Sequence, residues 1–123
     1  GPFIQYTYAR IQSVLRKAKE KQIEIDTDLI THTEISAKEK LLLKRIALVP
    51  EVVSDAGENY SPAIIANYCY ELVKEYNQFY HDHSILNIQD KGHRAFRLIL
   101  STTVGKIIKT GMNLLGIDVP SRM

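Results

Sequence analysis

Residues 1–19, GPFIQYTYARIQSVLRKAK, carry the reading on which the fold turns. Ile4, Tyr8, Ile11, Leu15 and Ala18 recur at steps of four, three, four and three, which sets them in one stripe along an α-helix. That stripe is a core face. Roughly 200° further round the same helix lie Tyr6, Arg10, Ser13 and Lys17, an aromatic ring beside two cations and a hydroxyl. No core requires that set. A flat ring for stacking next to charges for phosphate is what a single-stranded nucleic acid asks of a surface, so this face is the first functional candidate.

Working outward, the helix is expected to start near Phe3, after Pro2, and to fade near Gln22, with Lys17, Lys19 and Lys21 suiting its C-terminal dipole. The following IEIDTDLITHTEI, residues 23–35, is rich in Thr, Asp and β-branched residues and reads as a loop. Ser36 and Glu39 have the spacing of a capping box before a second helix that carries Leu42, Ile46 and Val49 on one face. Pro50 opens a short third helix through Glu51, Val52 and Val53, which Gly57 is expected to break. Ser61–Pro62 then starts a long fourth helix with a seam of Ile65, Cys69, Leu72, Tyr76 and Phe79, widened by Ile64, Tyr68 and Tyr80. Asn67, Tyr70, Lys74 and Gln78 form its wet face. After a loop to Gly92 holding Ile85, Leu86 and Ile88, the last helix is expected from about His93 to Leu115, with Gly116 as its cap and an extended tail beyond. No strand pattern of useful length occurs, so the predicted architecture is an all-α bundle of about five helices, in one domain spanning residues 1–123.

Composition excludes several classes. With 45% hydrophobic and 24% charged residues the chain is neither disordered nor membrane-spanning, and the lone Cys69 has no internal disulfide partner. No secretory signal is seen, and a cytoplasmic protein is expected. The net charge of +2 hides a division along the chain: residues 1–22 carry +4, residues 23–60 carry −4, residues 61–83 carry −2 and residues 84–123 carry +4. If the first and last helices pack side by side, their charges merge into one surface that attracts a phosphate backbone.

The catalytic alternatives are weak. His81, Asp82 and His83, with His93 beyond, resemble part of the metal signature of all-helical phosphohydrolases, but adjacent helical residues diverge by about 100° and the further ligands at helical spacing are missing. There is no glycine-rich phosphate loop, nucleophile elbow or zinc-type Cys pair, and no catalytic or metal-ligating residue is assigned. Seven tyrosines without tryptophan are more informative, since Tyr offers both a stacking ring and a hydroxyl. Tyr8, Tyr68 and Tyr76 belong to seams; Tyr6 is the first binding candidate, and Tyr80, at a helix end, the second. A bundle that docks an acidic protein through the same basic face is the alternative to RNA.

The segments QYTYARIQSVLRKA, SPAIIANYCYELVKEYNQFYHDH and FRLILSTTVGKIIKTGMNLLGIDVPSRM together resemble the C-terminal, all-helical DALR-type anticodon-binding domain of arginyl-tRNA synthetases over essentially the whole chain. The final stretch is the most specific part. The resemblance implies that Tyr6, Arg10, Tyr80 and Met123 border the anticodon loop of tRNA-Arg; with the loop seated there, Arg10, Arg16, Lys17, Arg97 and Arg122 are expected to hold phosphates. The Asp-Ala-Leu-Arg signature reads Arg94-Ala95-Phe96-Arg97 here, so its acid has become basic and its Leu has become Phe. It further implies a monomer attached to a catalytic domain of the same chain. That domain would use ATP and Mg, leaving this one without a cofactor and inactive alone in aminoacylation.

Overall fold

The computed structural model describes residues 2–32 and 34–122. Among them are five α-helices and no strand: α1 (Pro2–Glu20), α2 (Ala37–Ala47), α3 (Val49–Glu58), α4 (Pro62–Asp82) and α5 (Lys91–Leu114). The predicted all-helical bundle is therefore what the chain forms. The stretch expected to be a loop contains a 3-10 helix, Thr27–His32, which packs on α5 and brings Ile30 against the core.

Local sequence sets the helix ends. The Ser36 hydroxyl accepts from the Glu39 N–H at 3.2 Å while Glu39 Oε1 accepts from the Ser36 N–H at 2.9 Å, completing the capping box at α2. Asp90 accepts from the N–H groups of Gly92 and His93, which starts α5 two residues before the expected His93. Gly57 does not break α3, because the helix runs on to Glu58 and closes with Tyr60 in the left-handed region at φ 49°. Gly116, at φ 75°, ends α5 as expected: the Ile117 N–H reaches back to Met112 O at 2.9 Å and the Gly116 N–H to Asn113 O at 3.0 Å.

Helices α1, α4 and α5 form the centre, with α2 and α3 on the outer side of α4. Phe3 meets Tyr70 while Arg10 meets Asn77 and Tyr80, so α1 and α4 run the same way. Gly111 lies against Cys69 while Ser101 lies against Tyr76, so α5 runs opposite to α4. Because α1 is covered by two helices, it buries a wider arc than its stripe: Thr7, Ala9 and Val14 are buried with Ile4, Tyr8, Ile11 and Ala18, and Leu15 sits at the margin. Val73, Asn77, Ser101 and Val104 are enclosed for the same reason. The tail beyond α5 folds back along α1, held where Gln5 Nε2 donates to Asp118 O at 3.5 Å and Arg16 Nη1 to Ser121 O at 3.0 Å.

Candidate nucleic-acid interface

Tyr6 and Arg10 stand one turn apart on the exposed side of α1, and the parallel course of α4 delivers its last turn to the same place. Arg10 holds its guanidinium carbon 4.4 Å from the Tyr80 ring centre and 5.3 Å from that of Tyr6, a cation between two aromatic faces. Its Nη1 donates to Asn77 Oδ1 at 2.5 Å. Asn77 is buried and spends its amide hydrogens on Thr7 Oγ1 at 2.8 Å and Val73 O at 2.9 Å, and the Thr7 hydroxyl donates in turn to Phe3 O. A relay from the α1 backbone through α4 thus aims Arg10.

Around this triplet lies a groove of about 350 Å³, walled by Ser13, Arg16 and Lys17 of α1, by Tyr80 of α4 and by Arg122 of the tail. Among the described residues no carboxylate lines it. Tyr6 is 53% exposed and so keeps ring surface for a ligand. Tyr80 is half-buried, packed near Tyr76 at 6.4 Å and His81 at 6.0 Å with Arg10 over its face. Arg16, through its bond to Ser121, also positions the tail that brings in Arg122. The structure therefore assembles Tyr6, Arg10, Arg16, Lys17, Tyr80 and Arg122 from three separate stretches. Met123, the remaining anticodon candidate, lies outside the described residues.

Arg97 is the exception. Expected at a phosphate, it is 8% exposed and faces inward, donating from Nε to Glu39 Oε2 at 3.2 Å and from Nη1 to Ser84 O at 2.7 Å. A guanidinium committed to a buried carboxylate has no surface to offer an RNA strand. None of the basic residues of α5 lines this groove, whose cations come from α1 and the tail. Burial alone would raise the Glu39 carboxyl, but donation from the Ser36 N–H, from Arg97 and from the Ser36 hydroxyl holds it below its usual value.

The histidine cluster comes apart in space. Asp82 pairs with Lys38, His83 stacks on Phe79 and shares hydrogen bonds with Ser36 Oγ and Phe79 O, and His93 bonds Glu34 O at 2.6 Å. Among the described residues no three His, Cys, Asp or Glu side chains are placed to hold a metal ion. Cys69 sits buried in the α4 seam, where burial pushes its thiol up to about 11, so it is not a thiolate at neutral pH. A cleft of about 240 Å³ between α3, α4 and α5 is almost wholly apolar, with Lys106 its one charged wall among the described residues, and offers little to a polyanion.

The sequence profile of the DALR anticodon binding domain matches residues 4–123. This chain belongs to that family. The DALR domain is 60% identical over 123 residues to arginine–tRNA ligase of Phocaeicola vulgatus and 58% identical to that of Bacteroides thetaiotaomicron, covering all of this chain and 20% and 21% of those proteins. It superposes on Thermus thermophilus arginyl-tRNA synthetase with a TM-score of 0.86 at 29% identity, covering all of this chain and 21% of that one. The DALR domain thus spans about a fifth of the length of the relatives it matches. No helix among its described residues is long and apolar enough to cross a membrane.

Sequence reasoning missed Asn77 and Glu39. Asn77 had a signal, an amide one helical turn from Val73 and Tyr80 on the inner side of a seam, but its partner lies 67 residues away. Glu39 was recognised for its cap and not for its second oxygen, which serves Arg97 across 58 residues.

Proposed function

We propose that this chain is the anticodon-binding domain of an arginine–tRNA ligase and that the groove between α1, the end of α4 and the tail receives the anticodon loop of tRNA-Arg. The carrying observation is the Arg10 guanidinium fixed between Tyr6 and Tyr80 in a groove walled by further cations and, among the described residues, by no carboxylate. Family membership and the arginine–tRNA ligase relatives support the choice of RNA.

The mechanism follows from what arginine codons share. All have G in the middle, so every arginine anticodon has C there. Loop bases splay out of the stack, one lies on the open face of Tyr6, and the middle cytosine turns its edge toward Arg10. Cytosine offers two adjacent acceptors, O2 and N3, to a pair of N–H donors, whereas uracil would point its own N3–H at them. Arg16, Lys17 and Arg122 hold phosphates, which position the loop without specifying it. The domain works as a monomer in the cytoplasm, and arginylation with ATP and Mg belongs to a catalytic part outside these 123 residues.

Binding of this chain to an arginine anticodon stem-loop and to the same stem-loop with its middle C changed to U, at low and moderate salt, tests the proposal. A preference for C that Tyr6→Ala weakens, with a loss on the order of 1–3 kcal/mol, supports it. Equal, salt-sensitive binding to both RNAs overturns it.

A further inference from the structure

The apolar cleft between α3, α4 and α5 shares no lining residue with the anticodon groove and has no part in the proposed function. Val49, Val52 and Val53 of α3 face Ile65 of α4 and Ile107 and Leu114 of α5 across it. Val53 is 51% exposed and Leu114 65%, so hydrocarbon at the cleft stays in contact with water. Its polar groups are few, and the Tyr68 hydroxyl is already spent on Arg45 O at 2.6 Å. That leaves Lys106 and Thr110, both exposed and one turn apart on α5. No carboxylate among the described residues pairs with Lys106, and the Thr110 hydroxyl bonds no described residue.

We propose that this cleft binds a small amphipathic anion, an alkyl carboxylate of medium chain length, with its chain against the valines and Leu114 and its carboxylate at Lys106 and Thr110. Size sets the chain. A dry cavity of roughly 150 Å³ takes up benzene, so one of about 240 Å³ accommodates about ten non-hydrogen atoms, the size of octanoate. Charge sets the head group. A lysine on an apolar wall covers it with its stem and leaves its ammonium in water at the rim, where one carboxylate oxygen can meet it while the other accepts from the Thr110 hydroxyl. A neutral chain leaves that ammonium without a partner, and an alkylamine is repelled by it. Because the ligand binds only the folded chain, it also raises the melting temperature.

The test titrates this chain with octanoate, 1-octanol and octylamine, following backbone amides by NMR. Octanoate should shift the amides of Val52, Val53, Thr110 and Leu114, with a Kd of about 1 mM or below. It should bind about 3- to 5-fold tighter than 1-octanol, an advantage that added salt reduces, and octylamine should bind most weakly. Lys106→Gln, at an exposed position, should melt like the parent, bind 1-octanol equally and lose the preference for octanoate. Val53→Glu, which sets a carboxylate at the cleft, should weaken octanoate more than 1-octanol. Absence of shifts at the cleft, equal binding of octanoate and 1-octanol, or a preference that survives Lys106→Gln overturns the proposal. So does a longer protein of the relatives' length whose melting temperature octanoate leaves unchanged, since the remainder of that protein then occupies the cleft. Stem-loop binding should be the same with and without octanoate, which keeps this result separate from the anticodon reading.

Discussion

Arg97 Nε donates to Oε2 of Glu39 at 3.2 Å, and the carboxylate it serves has no solvent exposure at all. One carboxylate thereby caps α2 with one oxygen and anchors α5 with the other, while Arg97 Nη1 holds Ser84 O of the α4–α5 connection. Three elements meet on a single ion pair. Glu39→Gln should destabilise the fold by about 3–5 kcal/mol, because it strands the Arg97 charge in the interior and weakens the cap. Urea unfolding monitored by circular dichroism measures the loss. A Glu39→Leu, Arg97→Met double variant should recover most of it, since no charge is then left unpaired.

The same carboxylate predicts how stability depends on pH. The folded-state value of Glu39 lies below its ordinary 4.5, so the unfolded chain binds this proton more readily than the native one. The contribution is complete above that ordinary value and is lost as pH falls through the lower, folded-state value. Denaturation midpoints measured from pH 7 down to pH 3 should decline in the acid range, and the decline should be shallower in Glu39→Gln. An equal slope in both proteins would contradict the assignment.

Asn77 governs the groove from inside. Asn77→Leu keeps approximate volume but removes the acceptor of Arg10 and the donor to Thr7, so it should cost about 1–2 kcal/mol of stability. Affinity for the anticodon stem-loop should fall as well. In a double-mutant cycle its effect should be mostly absent from an Arg10→Ala background, because buried Asn77 reaches the groove through its bond to Arg10. Full additivity would show that the relay has no part in binding.

Gly111 sits where α5 passes close against Cys69 and Ile65 of α4. A Cβ there would stand 2.6 Å from Cys69 Sγ, so Gly111→Ala should cost about 1–3 kcal/mol, and adding Cys69→Ala should return part of it. Gly57, in α3 with nothing within 4 Å of the position its Cβ would take, is the control. Gly57→Ala should stabilise by about 0.5–1 kcal/mol, since alanine gives up less backbone freedom on entering a helix. Thermal melts of the two variants should shift in opposite directions.

Much of this fold is written in local pattern. The capping box at Ser36 and Glu39, the Pro62 start, the Gly116 stop and the seams of α1, α4 and α5 all rest on residues within a turn or two of one another, which is why the spacing alone located them. The wet face of α4, with Asn67, Tyr70, Lys74 and Gln78 exposed, was legible for the same reason. Where local signals failed, a competing interaction had won. Thr27–His32, rich in loop-favouring residues, turns into a 3-10 helix because α5 offers it a surface, and Gly57 stays helical because a single glycine costs a helix only about 0.5–1 kcal/mol, which does not by itself end it.

The site divides in the same way. The sequence by itself determined that Tyr6 and Arg10 share a face that no core needs, because a helix places residues four apart on one side whatever surrounds it. Only the tertiary structure decided that Tyr80 closes over Arg10, that Asn77 aims it and that Arg97 turns inward to Glu39. These partners lie tens of residues apart, and which side chains meet there depends on the direction and register in which whole helices pack. An arginine looks the same in sequence whether packing leaves it beside a groove or seals it against a carboxylate, so burial and not residue type left Arg10 lining the groove and made Arg97 a structural residue.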